Sequence, residues 1–389
     1  MPIPTLTDIY PRIITSNRIT TRVLFTHRKN KNPGTHTGGK ANPLSVSTRN
    51  ADMFPDPDDG VPVLFLHGNL TSATCWEEVM LDLPAGYRAI APDQRGYGDA
   101  DPVKKIDAKR GLGDLADDAV ALLDHLGIER AHIVGHSLGG AVVWQLLINY
   151  PARFLTATLI TPSSPYGFSG TKDMAGTPCF TDFAGSGSGL MNSESVERLA
   201  NGDRSLDSPF SPRSISHTLV FKPPFIPKRD EELLSATLAT HLGDQDYSGD
   251  SIQSGNWPYV SPGQWGPLNA LSPKYAPDMR RLYAANPKTD ILWIHGSHDL
   301  IISNNSAFDP ATVGAQGLLP GWPGMEIYPP QPMLDQTRTV LEKYTEAGGA
   351  YREVVLQDAG HFPYLEQPRA FNEIFHRHIR EHLGASHRI

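Results

Sequence analysis

The stretch Ala131-His132-Ile133-Val134-Gly135-His136-Ser137-Leu138-Gly139-Gly140 decides how this chain is read. Residues 132–135 read as a strand, 139–150 as a helix stopped before Pro151, and 155–160 as the next strand. At the joint stands Gly135-His136-Ser137-Leu138-Gly139, a G-x-S-x-G pattern followed by Gly140. A serine on such a sharp turn needs strained backbone angles, so its neighbours must be small. The turn lifts Oγ into a cleft and aims a helix N-terminus at any negative charge that develops there. The alternative is a glycine-rich turn with an incidental serine; the position between strand and helix makes Ser137 the candidate nucleophile.

The same alternation extends to both sides. Residues 61–66 are a continuous apolar run, as a strand buried on both faces requires. A helix is expected over 71–83, with Thr71 or Ser72 as N-cap, then a strand over 88–91 and an amphipathic helix over 112–126. Strand–helix order stops near residue 162 and resumes with a strand at 290–294, a helix at 332–347, a strand at 352–356 and a helix at 368–383. The fold class is therefore α/β, a doubly wound, mostly parallel sheet. Residues 1–60 hold two strands (12–15 and 21–26) and an irregular insertion over 29–60 rich in Asn, Gly, Pro, Ser and Asp. Residues 61–162 and 288–389 are the two halves of the core. Residues 163–287, rich in Ser, Gly, Pro and Asp with one good helical stretch at 230–241, are expected to form a large lid over the strands' C-terminal ends. A second insertion over 304–332 is expected near the same mouth.

A serine hydroxyl needs a base to take its proton. Of fifteen histidines, His361, in Asp358-Ala359-Gly360-His361-Phe362-Pro363, follows the last strand on a loop at the edge where doubly wound sheets build their sites. The bland alternative is a loop histidine with a local hydrogen bond. Asp299 leaves the strand at 290–294 on the same edge and is the candidate orienter; otherwise it is a loop carboxylate. No acidic residue follows the preceding strand at Thr161-Pro162-Ser163, and His295 and His298 read as structural. The chain order Ser137, Asp299, His361 is the one expected of a nucleophile-elbow architecture. For the oxyanion hole, the N–H of Leu138 is one donor and that of Asn69, in His67-Gly68-Asn69-Leu70, the other, with Leu70 second choice; Asn69 could equally cap the following helix.

Taken together, His67-Gly68-Asn69, Asp93-Gln94-Arg95-Gly96-Tyr97-Gly98, Gly135-His136-Ser137-Leu138-Gly139-Gly140, Gly296-Ser297-His298-Asp299 and Gly360-His361 resemble the α/β-hydrolase superfamily in order and spacing, over residues 61–162 and 288–383. The resemblance implies an α/β-hydrolase sheet and a structural role for Asp93 and Arg95. The His67-Gly68-Asn69 loop also looks like that of haloalkane dehalogenases, where the Asn helps hold halide. Dehalogenases and epoxide hydrolases of this fold use Asp as nucleophile, however, and Ser137 cannot form their alkyl-ester intermediate. The expected activity is thus that of a serine hydrolase acting on an ester, lactone or similar acyl compound, with no metal and no cofactor. A carbon–carbon bond hydrolase, a perhydrolase or a triad-retaining binding protein with negligible turnover are the alternatives.

Composition narrows the partners. With 39% hydrophobic residues in 389 the chain has ample material for a core, and Lys+Arg 34 against Asp+Glu 42 gives net charge −8. No basic tract interleaved with aromatics points to nucleic acid, and no apolar run approaches the roughly 20 residues of a membrane span. No secretory signal is read at the N-terminus, so a cytoplasmic location is expected. Cys75 and Cys179 are too few for a disulfide framework. The expected partner is a small apolar acyl substrate, its pocket lined by Leu70, His136, Phe362, Trp257 and Trp265. Trp257 and Trp265, with Tyr259, Phe221, Phe225 and Trp322, could equally be lid core. The Asp-rich run at 244–250 lacks calcium-loop spacing and reads as a turn.

Overall fold

The computed structural model describes residues 3–26 and 60–386; the insertion expected over 29–60 lies, Gly60 apart, outside the described residues. Strands β1 (Tyr10–Thr15), β2 (Thr20–Phe25), β3 (Val61–Leu66), β4 (Tyr87–Pro92), β5 (Ala131–His136), β6 (Phe154–Ile160), β7 (Asp290–Gly296) and β8 (Tyr351–Leu356) make one sheet. Their spatial order is β1-β2-β4-β3-β5-β6-β7-β8. β2 runs antiparallel to β1 and β4, and the neighbours from β4 to β8 are parallel. The chain leaves β3 to one side for β4 and returns to its other side as β5. That reversal opens a crevice at the C-terminal ends of β3 and β5, the place where open α/β sheets bind ligands.

The sheet is buried on both faces because successive side chains alternate between two apolar layers. Leu64, Leu66, Ile133 and Trp293 point into the layer built by α2 (Gly113–His125) and α3 (Leu138–Asn149), with Leu115, Leu122, Val143 and Trp144. Val63, Phe65, Val134 and Leu292 point into the other, against Trp76, Met80 of α1 (Glu77–Asp82), and Phe371 and Phe375 of the C-terminal helix Pro368–Ser386.

The helix expected over 71–83 is divided into a 3-10 turn, Ala73–Trp76, and the short α1. Ser72 Oγ accepts the Thr74 N–H, and Asp93 Oδ1 accepts the Ala73 N–H at 2.9 Å. With the first N–H groups satisfied from outside, the chain winds tightly there before relaxing into α-helix.

Residues 161–289 run between β6 and β7. They contain more helix than the one stretch expected: Ser193–Ala200 precedes Asp230–Leu238, with a π-helical turn, Ser216–Val220, between them. Ser193–Ala200 carries little apolar signal because only Leu199 is buried; Asn192 caps it by accepting the Ser195 N–H at 3.0 Å. Backbone bonds tie this segment to loops at the strands' C-terminal ends: Gly98 N–H to the Ala239 carbonyl at 3.0 Å and His361 N–H to the Val220 carbonyl at 2.8 Å. Buried Glu77 accepts the Leu6 N–H at 2.7 Å and pairs with Arg229 at 2.9 Å, fastening the N-terminal segment and the 161–289 segment to α1.

Candidate active site

Ser137 occupies the turn from β5 into α3 with φ +53° and ψ −116°. A non-glycine residue holds such angles only where its surroundings impose them. Here three glycines clear the space. A Cβ on Gly135 would lie 2.4 Å from the Gly139 carbonyl oxygen, on Gly139 2.2 Å from that of Leu66, and on Gly140 2.6 Å from Pro162 Cβ. Ser137 N–H donates to the Ile160 carbonyl at 3.0 Å, and its own carbonyl accepts from Ala141 at 3.1 Å and Ser163 at 3.2 Å. Its side chain stands at the N-cap of α3 without capping it.

Asp299 and His361 come from the loops after β7 and β8. His361 Nδ1 lies 2.8 Å from Asp299 Oδ2, and both side chains are buried. The other oxygen, Oδ1, accepts the N–H groups of Ile301 at 2.8 Å and Ile302 at 3.0 Å, so the carboxylate is held at both ends. A carboxylate only accepts, which puts the ring proton on Nδ1 and leaves the Nε2 lone pair available. The loops can approach because Gly296 has no side chain: a Cβ there would stand 2.2 Å from the Gly360 carbonyl oxygen.

The Ser137 and His361 segments meet through His136. Burial holds His136 well below the usual histidine range, so it is neutral, and its Nε2–H donates to the His361 carbonyl at 2.8 Å. Thr161 Oγ1 donates to the same carbonyl at 3.1 Å. Among the described residues no hydrogen bond joins the Ser137 hydroxyl directly to the His361 ring. Such contacts commonly tighten only when substrate binds.

On the opposite wall, the loop after β3 is built around His67. Its Nδ1–H donates to the Gly68 carbonyl at 2.8 Å and its Nε2 accepts the Gln94 N–H at 2.9 Å; burial lowers it to about 4. Gly68 lies directly against Ser137: an added Cβ would be 3.1 Å from Ser137 Cβ and 2.9 Å from His136 Nδ1. Asn69 does not cap the following turn, which Ser72 caps instead. Its Oδ1 accepts the Tyr97 hydroxyl at 2.7 Å, and burial keeps that phenol protonated by raising it well above its usual value. Leu70 has φ +51°, and Leu138 is buried at the first turn of α3.

A family model described as alpha/beta hydrolase fold matches residues 61–178. The architecture resembles the crystal structure of carboxylesterase CesB from Bacillus subtilis, with a TM-score of 0.54, 15% identity, and 95% of this chain and 90% of that one covered. The chain has the α/β-hydrolase fold. It is 36% identical over 129 residues to epoxide hydrolase B of Mycobacterium tuberculosis, covering 33% of this chain and 35% of that protein. It is 37% identical over 113 residues to 2-hydroxy-6-oxo-6-phenylhexa-2,4-dienoate hydrolase of Comamonas testosteroni, covering 28% and 39%. The chain thus spans well under half the length of these relatives.

The motif around Asp93 is held by buried ions. Arg22 of β2 donates to Asp93 Oδ2 at 2.9 Å and Oδ1 at 3.1 Å, and Arg95 pairs with Asp118 at 2.8 Å. Of the residues expected to line a pocket, Phe362 packs beside the site, 4.3 Å from the His136 ring and 5.3 Å from Phe221. Trp257 does not join them. It belongs to a separate apolar cluster with Tyr328 and Ala311, because its ring is large, apolar and able to satisfy its N–H on the Pro320 carbonyl at 2.9 Å. Trp265 is half-buried opposite Asp107 in an isolated bridge, its backbone N–H donating to Asp250 Oδ1 at 2.6 Å. His136 is enclosed by Trp76, Phe362 and Tyr364. Thr161, Tyr97 and Glu366 escape sequence reading, since none carries a chemical signature until its partner is known. Among the described residues no group of three or more His, Cys, Asp or Glu could hold a metal ion, and no helix is long and apolar enough to cross a membrane.

Proposed function

We propose that this chain is a serine hydrolase that cleaves an ester, lactone or related small acyl compound through an acyl-enzyme on Ser137. The observation that carries the reading is the buried Asp299–His361 pair at 2.8 Å, whose neighbour His136 immediately precedes a serine held at φ +53°. His361 Nε2 takes the Ser137 proton as Oγ attacks the carbonyl carbon. The N–H groups of Asn69 and Leu138 receive the charge that develops on the oxygen, in a setting where each such donor is worth about 3–4 kcal/mol of barrier. The imidazolium then protonates the leaving group, and the same ring activates the water that hydrolyses the acyl-enzyme. Asp299 keeps the tautomer and stabilises the imidazolium. Residues 163–287 act in this proposal as a lid over an apolar acyl pocket. The 161–289 segment supports that role through its backbone bonds to the loops bearing His361 and Tyr97.

Replacing Ser137 with Ala is expected to lower kcat on p-nitrophenyl esters by about 10³-fold or more, with unchanged circular dichroism. Turnover at the original rate would refute the assignment. A second reading, hydrolysis of a carbon–carbon bond in a ring-cleavage product, rests on the partial identity to the Comamonas enzyme. It predicts faster turnover of vinylogous diketones than of simple esters and lactones by the purified chain. Stoichiometric labelling by a fluorophosphonate with no multiple turnover on that panel would instead favour a ligand-binding protein.

A further inference from the structure

The loop that carries His361 is held from outside as well as from the sheet. Glu366, three residues beyond the short helix's first residue Pro363, turns its carboxylate back over this loop. Oε2 accepts the Gly360 N–H at 2.9 Å and, from the 161–289 segment, the Lys222 N–H at 2.8 Å; Oε1 accepts the Phe362 N–H at 3.3 Å. The two residues flanking His361 and one residue of the overlying segment are thereby gathered on one buried side chain. A second link runs in parallel. The Ser216–Val220 turn is π-helical and closes with the Phe221 N–H on the Ser216 carbonyl at 2.9 Å, while the Val220 carbonyl accepts the His361 N–H at 2.8 Å. Gly360 makes the approach possible, since a Cβ there would be 2.8 Å from both the Lys222 nitrogen and the Val220 oxygen.

We propose that Glu366 is a positioning residue, an anionic strap that fixes the His361 loop against residues 220–222 so that the base stands ready beside Ser137. The proposal rests on the serine-hydrolase reading above. A charged group suits this role, because one carboxylate offers enough acceptor sites for three N–H donors, which a neutral amide cannot match with its single oxygen. Burial raises the Glu366 carboxyl from its ordinary value, and the three backbone N–H groups oppose that rise. With those bonds occupied, Glu366 has a structural claim on its oxygens and is not assigned a role in proton transfer to substrate.

The test compares Glu366→Gln and Glu366→Asp with the unaltered chain and with Ser137→Ala. Turnover of p-nitrophenyl butyrate, the rate of fluorophosphonate labelling and amide hydrogen exchange are measured for each. A base displaced by a fraction of an ångström to an ångström should cost Glu366→Gln about 10- to 100-fold in kcat and in labelling rate, with KM within about threefold. Exchange should rise together at Gly360, Phe362 and Lys222. Glu366→Asp, which keeps the charge on a shorter stem, should recover part of the labelling rate; if the Gln variant does not fold, the Asp variant is read by the same criteria. An unaltered labelling rate, or a loss confined to KM, overturns the strap while Ser137→Ala remains inactive. Activity retained by Ser137→Ala overturns the hydrolase reading itself.

Discussion

Ser137 keeps a left-handed backbone that costs of order 1–3 kcal/mol, and the glycines around it are what make that conformation attainable. They are not interchangeable with other glycines of the chain. Gly139→Ala would push a methyl group to 2.2 Å from the Leu66 carbonyl oxygen and 2.6 Å from that of His67, both immobile backbone atoms of β3 and the loop after it. We expect a loss of about 2–3 kcal/mol or more in urea denaturation, with fluorophosphonate labelling abolished. Gly127→Ala, at φ +67° with no atom within 4 Å of the new Cβ, should cost only about 1–2 kcal/mol and leave labelling intact. At this scale the sequence was legible where chemistry and spacing coincide: Asp299 and His361, read as a pair from their places after two strands, stand 2.8 Å apart. It was opaque at Thr161, where a hydroxyl reaches the His361 carbonyl only because the chain takes φ +39° after β6.

Elements were legible where an apolar period is strong. Val61–Leu66 is the strand that the run of apolar residues predicts, and its alternation assigns Val63 and Phe65 to one layer and Leu64 and Leu66 to the other. The 71–83 helix failed because its first turn is controlled from Asp93, a residue about 20 positions away. That same aspartate joins elements that sequence alone leaves separate. Arg22 of β2 binds it and also reaches Ser72 at 3.3 Å and Thr74 at 3.2 Å, so an antiparallel strand stabilises the turn beside the candidate oxyanion loop. Arg22→Met strands a buried carboxylate and should destabilise the chain by about 3–5 kcal/mol. Arg12→Met on neighbouring β1, where the exposed guanidinium donates, among the described residues, only to the Pro11 carbonyl, should stay within about 0.5 kcal/mol. Equal midpoints for the two variants would contradict this division.

For the whole molecule, two buried groups set opposing responses to acid. His67 takes its proton near 6.5 when unfolded but only at about 4 when folded, because burial disfavours the cation. Between those values the unfolded chain holds the extra proton, so stability drains as pH falls from about 6.5 to about 4. Asp309 behaves in the opposite sense: burial raises it to about 6 from 3.8. There the folded chain holds the extra proton, so acidification from about 6 to 3.8 adds stability. Each contribution amounts to about 3 kcal/mol when fully developed, and the two nearly cancel. His67→Gln should therefore make the chain gain stability relative to the unaltered protein on going from pH 7 to 5 in urea titrations. Asp309→Asn should make it lose stability over the same interval. Slopes of the same sign in both variants would sink the assignment.

What the amino-acid sequence determined by itself was local: which runs are apolar enough to be strands, which turn bears a strained serine, and in what order the candidate residues follow the strands. Periodicity and side-chain chemistry act over a few residues, so they can be read without coordinates. Tertiary structure alone decided which distant groups share a hydrogen bond. The seating of Asp299 on His361, of Tyr97 on Asn69 and of Glu366 on Lys222 depends on backbone paths that close over 28 to 144 residues. No short-range preference encodes such closures; they follow from burying both faces of one sheet at once.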